Sequence, residues 1–509
     1  MKPPPLIPVT APLDEPADAP LQKFWWLKRL SLLAATLILL IFLSRAWMIH
    51  SETRRLNAEI QRWKKAGLPI LPGDFETPPV PDEQNAAVAI SRAAMAVVEN
   101  KESLDMWEEL EQVPLSANAR RVADAILGEN VRALQAVRSA HNLTQVRWKS
   151  MGYKAYVSGA MIDPHQPNWS KLRALANLLS LAAKRALDRG DEAEFIEALA
   201  DARLISRTLA KDPNIVSDMV SNGIDALATQ TAILWVHALR LHGPDSVATR
   251  KRAIWLMHEW AEAGDRGSQV QLTLANEARN ILDGTNATAP NTRYQYINER
   301  VQPITIGAFD VAAWRFLLPH RVRAVSDELI QIRSDIESKK ALNWSTAGNF
   351  ATLIRRSTST GVEPLDSAIE VEVPSPNDKR NYFRARFRGL VSARLAAASL
   401  ACRLYAIDHG GNEPSSLNEL VPRYLSAVPT DPFSPNGGPI QYVRGPQGNG
   451  TFIYSLCDTA VDTIASGAYK PTLPDHMSWQ RGVVVAFLNP QPSVAATATQ
   501  PASTQPLNQ

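Results

Sequence analysis

Leu30 to Ser44, LSLLAATLILLIFLS, carries no charged side chain, and apolar character resumes at Ala46, Trp47, Met48 and Ile49. A bilayer core demands about 20 apolar residues in helical form. The uncharged core meets that length once Lys28, Arg29 and Arg45 snorkel and Trp25, Trp26 and Trp47 sit at the interfaces. Residues 30–49 are therefore read as a transmembrane helix. A cleaved secretory signal is the rival reading, because Ser44-Arg45-Ala46 has the small-x-small form of a cleavage site. The bulky Trp47 and the long arm before the apolar stretch favour a retained anchor.

The chain of 509 residues, 45% hydrophobic and 21% charged, can bury a core. Lys and Arg total 54 against 51 Asp and Glu, a net charge of +3, which argues against a nucleic-acid partner. Two cysteines exclude a disulfide scaffold, and neither stands in a Cys-x-x-Cys zinc pair. Partners are thus expected to be the membrane and other proteins. Arg45, Arg54, Arg55, Arg62, Lys64 and Lys65 follow the span and outnumber Lys23, Lys28 and Arg29 before it. That count favours a cytoplasmic C-terminal side, although large domains translocate regardless of such charges.

Proline divides the chain. Residues 1–22 are a Pro-rich tail expected to be disordered, and 50–82 form a juxtamembrane helix followed by a linker with prolines at 69, 72, 78, 79 and 81. Residues 83–340 read as an α-helical domain. Its clearest part is an antiparallel hairpin at 170–210, where Leu172, Leu175, Leu179, Ala182 and Ala186 line one face. Gly190 ends the first helix, Asp191 with Glu194 has capping-box spacing, and Phe195, Leu199, Ala202, Ile205 and Leu209 form the facing stripe. Further helices are expected at 116–140, 214–241, 246–263, 268–283, 309–317 and 320–340. The hairpin weakly resembles tetratricopeptide-type helix pairs. Without three copies at one period, an irregular bundle is favoured over a solenoid.

After a linker at 341–380, residues 381–488 read as a small α+β module, followed by a disordered tail at 489–509. A long Ala-rich helix through Leu390, Ala397, Ala401 and Leu404 ends at Gly410-Gly411. Ser416 and Glu419 have capping-box spacing for a short helix, LNELVPRYL. Ile440 with Tyr442, Thr451 to Tyr454, and VVVAFL at 483–488 read as strands. The fold class is mainly α, with an N-terminal transmembrane helix, an irregular helical bundle or solenoid-like domain, and this α+β module.

The ordered text Tyr405, Asp408-His-Gly-Gly, Pro414-Ser-Ser-Leu, Leu420-Val-Pro, Val428-Pro, Asp431-Pro-Phe, Tyr442 and Tyr454-Ser-Leu-Cys-Asp resembles the globular part of G-type type II secretion pseudopilins. Similar modules occur in envelope proteins of planctomycete-like bacteria. The resemblance implies an external or periplasmic bulk domain and a calcium loop in which Asp458 and Asp462 are ligands. Here Cys457 replaces the usual glycine and Thr463-Ile464-Ala465 replaces polar residues. Calcium takes six to eight oxygens, so no bound cofactor is expected. The cleavable leader and the intramembrane Glu of that family are also absent.

No Gly-x-Ser-x-Gly, His-Glu-x-x-His, Gly-x-Gly-x-x-Gly or Gly-Lys-Ser/Thr motif occurs. His258-Glu259 lacks a second histidine, and Asp408-His409 is either an acid/base pair or a helix-end histidine complementing the dipole. Cys402 and Cys457 either form a disulfide outside the cytoplasm or are two separate thiols. The function expected is a membrane-anchored envelope scaffold that binds proteins without catalysis. The alternative is an envelope hydrolase with its site between the helical and C-terminal domains.

Overall fold

The computed structural model describes residues 25–99, 115–149, 164–241, 246–262, 267–286, 292–297, 300–305, 308–337, 376–434, 437–444, 451–456 and 483–487. The tails, the 341–375 stretch, Cys457, Asp458 and Asp462 lie outside them. The structure is mainly helical. Its first element, α1, is one unbroken helix from Trp25 to Lys65. Residues 25–44 are exposed along their whole length, whereas Leu56, Glu59 and Trp63 are buried. The exposed half is long and apolar enough to cross a membrane.

The buried half of α1 packs on α10 (Ala308–Glu337). The fully buried Trp63 donates its indole N–H to the Leu329 carbonyl at 3.3 Å. Glu59, also fully buried, accepts from Arg333 Nε at 2.6 Å and from Arg62 at 3.0 Å, and Arg55 pairs with Asp327. The expected break between 317 and 320 does not occur. Pro319 lies inside α10, the missing N–H being tolerated within a helix held by its neighbours α1 and α9 (Gly267–Asn286).

Asn85 caps α2 (Ala86–Met95) by accepting from Ala87 N–H, and Asp82–Gln84 just before it form a short 3-10 turn. Ser116 caps α3 (Ala117–Glu129), and Asn130 separates it from α4 (Val131–Ser139), dividing the single helix anticipated at 116–140. Asn130 turns its side chain back to Ile126 O and across to Val98 N–H and O, bonds that favour a break over continuation.

The hairpin forms as its local signals dictate. Helix α5 (Trp169–Asp188) stops at Gly190, whose φ of +76° is the left-handed conformation that glycine adopts freely. Asp191 then accepts from Glu194 N–H at 3.0 Å to start α6 (Glu192–Leu209). Asn214 caps α7 (Ile215–Trp235), which packs on both α5 and α6, and α8 (Ser246–Ala261) lies against α6. A hairpin of β1 (Thr292–Ile297) and antiparallel β2 (Arg300–Thr305) precedes α10; the sequence reading missed it.

Helix α11 (Pro376–Asp408) packs on α7 and α8, and its apolar residues join the same continuous core that runs from Leu56 to Ile453. It passes the length and composition test for a membrane span, but most of it is buried in protein. Gly411 N–H bonds Ala406 O at 2.7 Å, and Gly410 and Gly411 both have positive φ, which closes the helix as expected. The capping box at Ser416 does not form: Ser416 makes no side-chain cap bond, and Glu419 bonds Ser415 and Tyr405 instead. The intended short helix is a 3-10 turn, Leu417–Leu420. Strands β3 (Gln441–Val443), β4 (Phe452–Leu456) and β5 (Val483–Phe487) pair antiparallel in that order.

Trp63→Ala should lower stability by about 3–5 kcal/mol, since it empties a fully buried site at the contact of α1 with α10. Chemical denaturation of the detergent-solubilised chain measures it, and a loss below about 1 kcal/mol contradicts the packing described.

Candidate functional site

Among the described residues, a group of ionisable side chains gathers where the end of α4, α6 and α8 meet. Glu197 and Asp201 stand one turn apart on α6, which places them on one face. His141, in the 3-10 turn after α4, meets them: its Nε2 lies 2.8 Å from Asp201 Oδ1. Arg138 holds the other Asp201 oxygen at 2.9 Å and forks onto both oxygens of Glu194, at 2.8 and 3.1 Å. Such a bidentate pair is the strongest ordinary ion-pair geometry. It raises the Arg138 pKa, the hydrogen bond that Arg138 donates to Glu194 being the largest cause.

Arg252, on α8, closes the outer side. Its Nε donates to Glu197 at 3.2 Å, while one terminal nitrogen lies 3.0 and 3.1 Å from the two nitrogens of His141. The Arg252 guanidinium is also 4.3 Å from the Trp255 ring centre, and Trp255 meets His141 edge to face. Glu259 of α8 links this group inward, accepting from Arg207 and facing Arg203, whose guanidinium pairs with buried Asp225 at 2.8 Å. His141, Glu197 and Asp201 can each offer one ligand atom, all within 4.8 Å of one another, so they form a candidate metal centre.

A second buried group joins α7 to α11. Asp218 Oδ2 accepts from Tyr382 Oη at 2.7 Å and from Arg386 at 2.9 Å, with Asn222 Nδ2 at 3.3 Å. Burial first, then the Asp218 charge, pushes the Tyr382 phenol well above its usual range. The phenol is therefore a donor here and no nucleophile. Asp218 Oδ1 is buried without a partner among the described residues. This is the region where the alternative reading placed a hydrolase site, and there Tyr382 and Arg386 both donate to Asp218 Oδ2.

Asp212, in the turn before α7, is buried with Ser217 as its hydrogen-bond donor at 2.5 Å, and Ser217 accepts from Trp169 at 2.8 Å. Burial raises its pKa to about 6, against the opposing effects of Ser217 and the nearby Arg279.

The residues singled out from sequence are dispersed. Asp408 accepts from Arg250 at 2.6 Å, from Tyr424 at 2.5 Å and from Arg423 at 3.3 Å. His409 instead stacks on Tyr405 and places Nδ1 2.8 Å from the Tyr405 carbonyl, so the two neighbours do not form an acid/base pair. Cys402 is a buried free thiol whose pKa burial raises, while Cys457, Asp458 and Asp462 lie outside the described residues. His258 stays half-buried on α8, and its neighbour Glu259 serves the arginines. No family model matches the chain, and neither the curated proteins nor the solved structures hold a match to it.

Two outcomes follow. Asp218→Ala should cost about 3–5 kcal/mol, because it removes the buried carboxylate to which both Arg386 and Tyr382 donate; denaturant titration tests this, and a cost under about 1 kcal/mol contradicts it. For Asp212 the folded pKa of about 6 exceeds the ordinary aspartate value of 3.8, so the native state binds more protons than the unfolded one between those values. Stability contributed by the protonated group is present at low pH and is lost as pH rises through about 6, a fall of about 3 kcal/mol for this group. Asp212→Asn should remove that slope and stabilise the chain at neutral pH. Melting curves across pH 4–7 decide it, and an unchanged slope contradicts the assignment.

Proposed function

We propose that the chain is a single-pass, membrane-anchored envelope protein whose helical body is a docking scaffold for other proteins, with its bulk on the external or periplasmic side. The observation that supports this most is the division of α1. Its first half exposes Leu30, Leu32, Leu33, Leu37 and Phe42 along an uncharged helix, and its second half is fixed to α10 through Trp63 and Glu59. Water does not tolerate such an apolar helix in isolation, whereas a bilayer satisfies it while the helix meets its own backbone bonds.

The body reads as an irregular bundle. Helices α3, α4 and α6 differ in length and in the partners they take, as an irregular bundle requires and a regular repeat does not. The order of α11, the 3-10 turn and the three strands supports the likeness to pseudopilins, within a chain whose long anchor-distal helix is buried against α7 and α8. A helix so engaged cannot also pack lengthwise into a pilus, so we read this part as pseudopilin-like without a pilus role.

Alkaline carbonate washing of membranes tests the anchor. The mature chain should stay in the pellet with an N-terminus before Leu30. A full-length soluble chain, or an N-terminus at or after Trp47, contradicts it.

A further inference from the structure

We propose that His141, Glu197 and Asp201 form a binding site for a divalent transition-metal ion, which exchanges with the guanidinium of Arg252. The donor set is one imidazole nitrogen and two carboxylate oxygens, a combination that suits zinc and its neighbours and that leaves a coordination position open. Two of the donors lie one turn apart on α6, and His141 comes from a different element. All three already converge within 4.8 Å.

The charges make the exchange favourable. Glu194, Glu197 and Asp201 present three carboxylates to two guanidinium groups, Arg138 and Arg252. With a neutral imidazole one negative charge is left over in a half-buried setting. Replacing the single charge of Arg252 by a divalent ion balances the three carboxylates against the ion and Arg138. Arg138 keeps its place on Asp201 Oδ2, which leaves Asp201 Oδ1 directed at His141 and fixes the carboxylate as a second-shell partner fixes a metal ligand.

Arg252 is the group that a metal ion would displace, because it contacts both Glu197 and His141. It is partly exposed and lies over the Trp255 ring, so it can retain that contact while releasing Glu197 and His141. The His141 and Asp201 donor atoms, 2.8 Å apart, need only open to about the 3.3 Å that two ligands on a tetrahedral zinc ion adopt, given bond lengths near 2.0 Å.

Isothermal titration of zinc into the detergent-solubilised full chain, stripped with chelator, tests the site, with circular dichroism to verify folding of each variant. One zinc per chain is expected. Arg252→Ala should bind at least tenfold more tightly because the competing cation is gone, and Glu197→Gln at least tenfold more weakly. His141→Ala should abolish binding; should that variant not fold, Glu197→Gln, at a half-buried position, decides the matter. Absence of stoichiometric zinc from both the natural chain and Arg252→Ala overturns the proposal. So does uptake that Glu197→Gln and His141→Ala leave unchanged, or weaker binding in Arg252→Ala.

Discussion

The Asp218 carboxylate decides how α11 lies on the middle of the chain. It sits fully buried on α7 and takes its donors from Tyr382 and Arg386 on α11, more than 160 residues away in sequence. A charge so buried is costly, and it is held only because a guanidinium and a phenol meet it in good geometry. Once they do, the rest of α11 is laid along α7 and α8, and Phe383, Val391, Leu395 and Leu404 enter the common core. The Arg250–Asp408 pair fixes the far end of the same helix to α8. Polar contacts thus set the register, while apolar burial supplies most of the stabilisation.

The apolar half of α1 is joined to this body by unbroken helix. At 1.5 Å per residue, α1 is about 60 Å long, and the part beyond its apolar half extends about 25–30 Å further. It is in that part that Glu59 meets Arg333 and Trp63 meets Leu329. A glutamate buried in the seam accepts only an arrangement that brings the arginine to it, so the pair specifies how α1 lies on α10. The apolar half of α1 is consequently held in a defined orientation relative to the helical body.

Elements with local signals were legible in the sequence. The hairpin of α5 and α6 needed only its stripes, Gly190 and the Asp191 cap, and all of these lie within forty residues of each other. The division of α3 from α4 was not legible, because it depends on Asn130 reaching Val98, 32 positions away. The β1–β2 hairpin had alternating text, Thr292 to Ile297, but Pro303 in the second strand masked it. The His141 group had no motif at all. Glu197 and Asp201 looked like the polar face of an ordinary helix, and only tertiary packing brings His141 and Arg252 to them from 60 and 51 residues away from Asp201.

The central claim is that α11 belongs to the same cooperative body as α6 and α7. Native-state hydrogen exchange of the detergent-solubilised chain, read by fragment mass spectrometry, tests it most directly. Amides of 391–406 should exchange with the same opening free energy and the same denaturant dependence as those of 195–209 and 220–233, since one core contains them all. Exchange of 391–406 through a separate, lower-energy opening that leaves α6 and α7 protected would show an independent C-terminal unit and contradict the account.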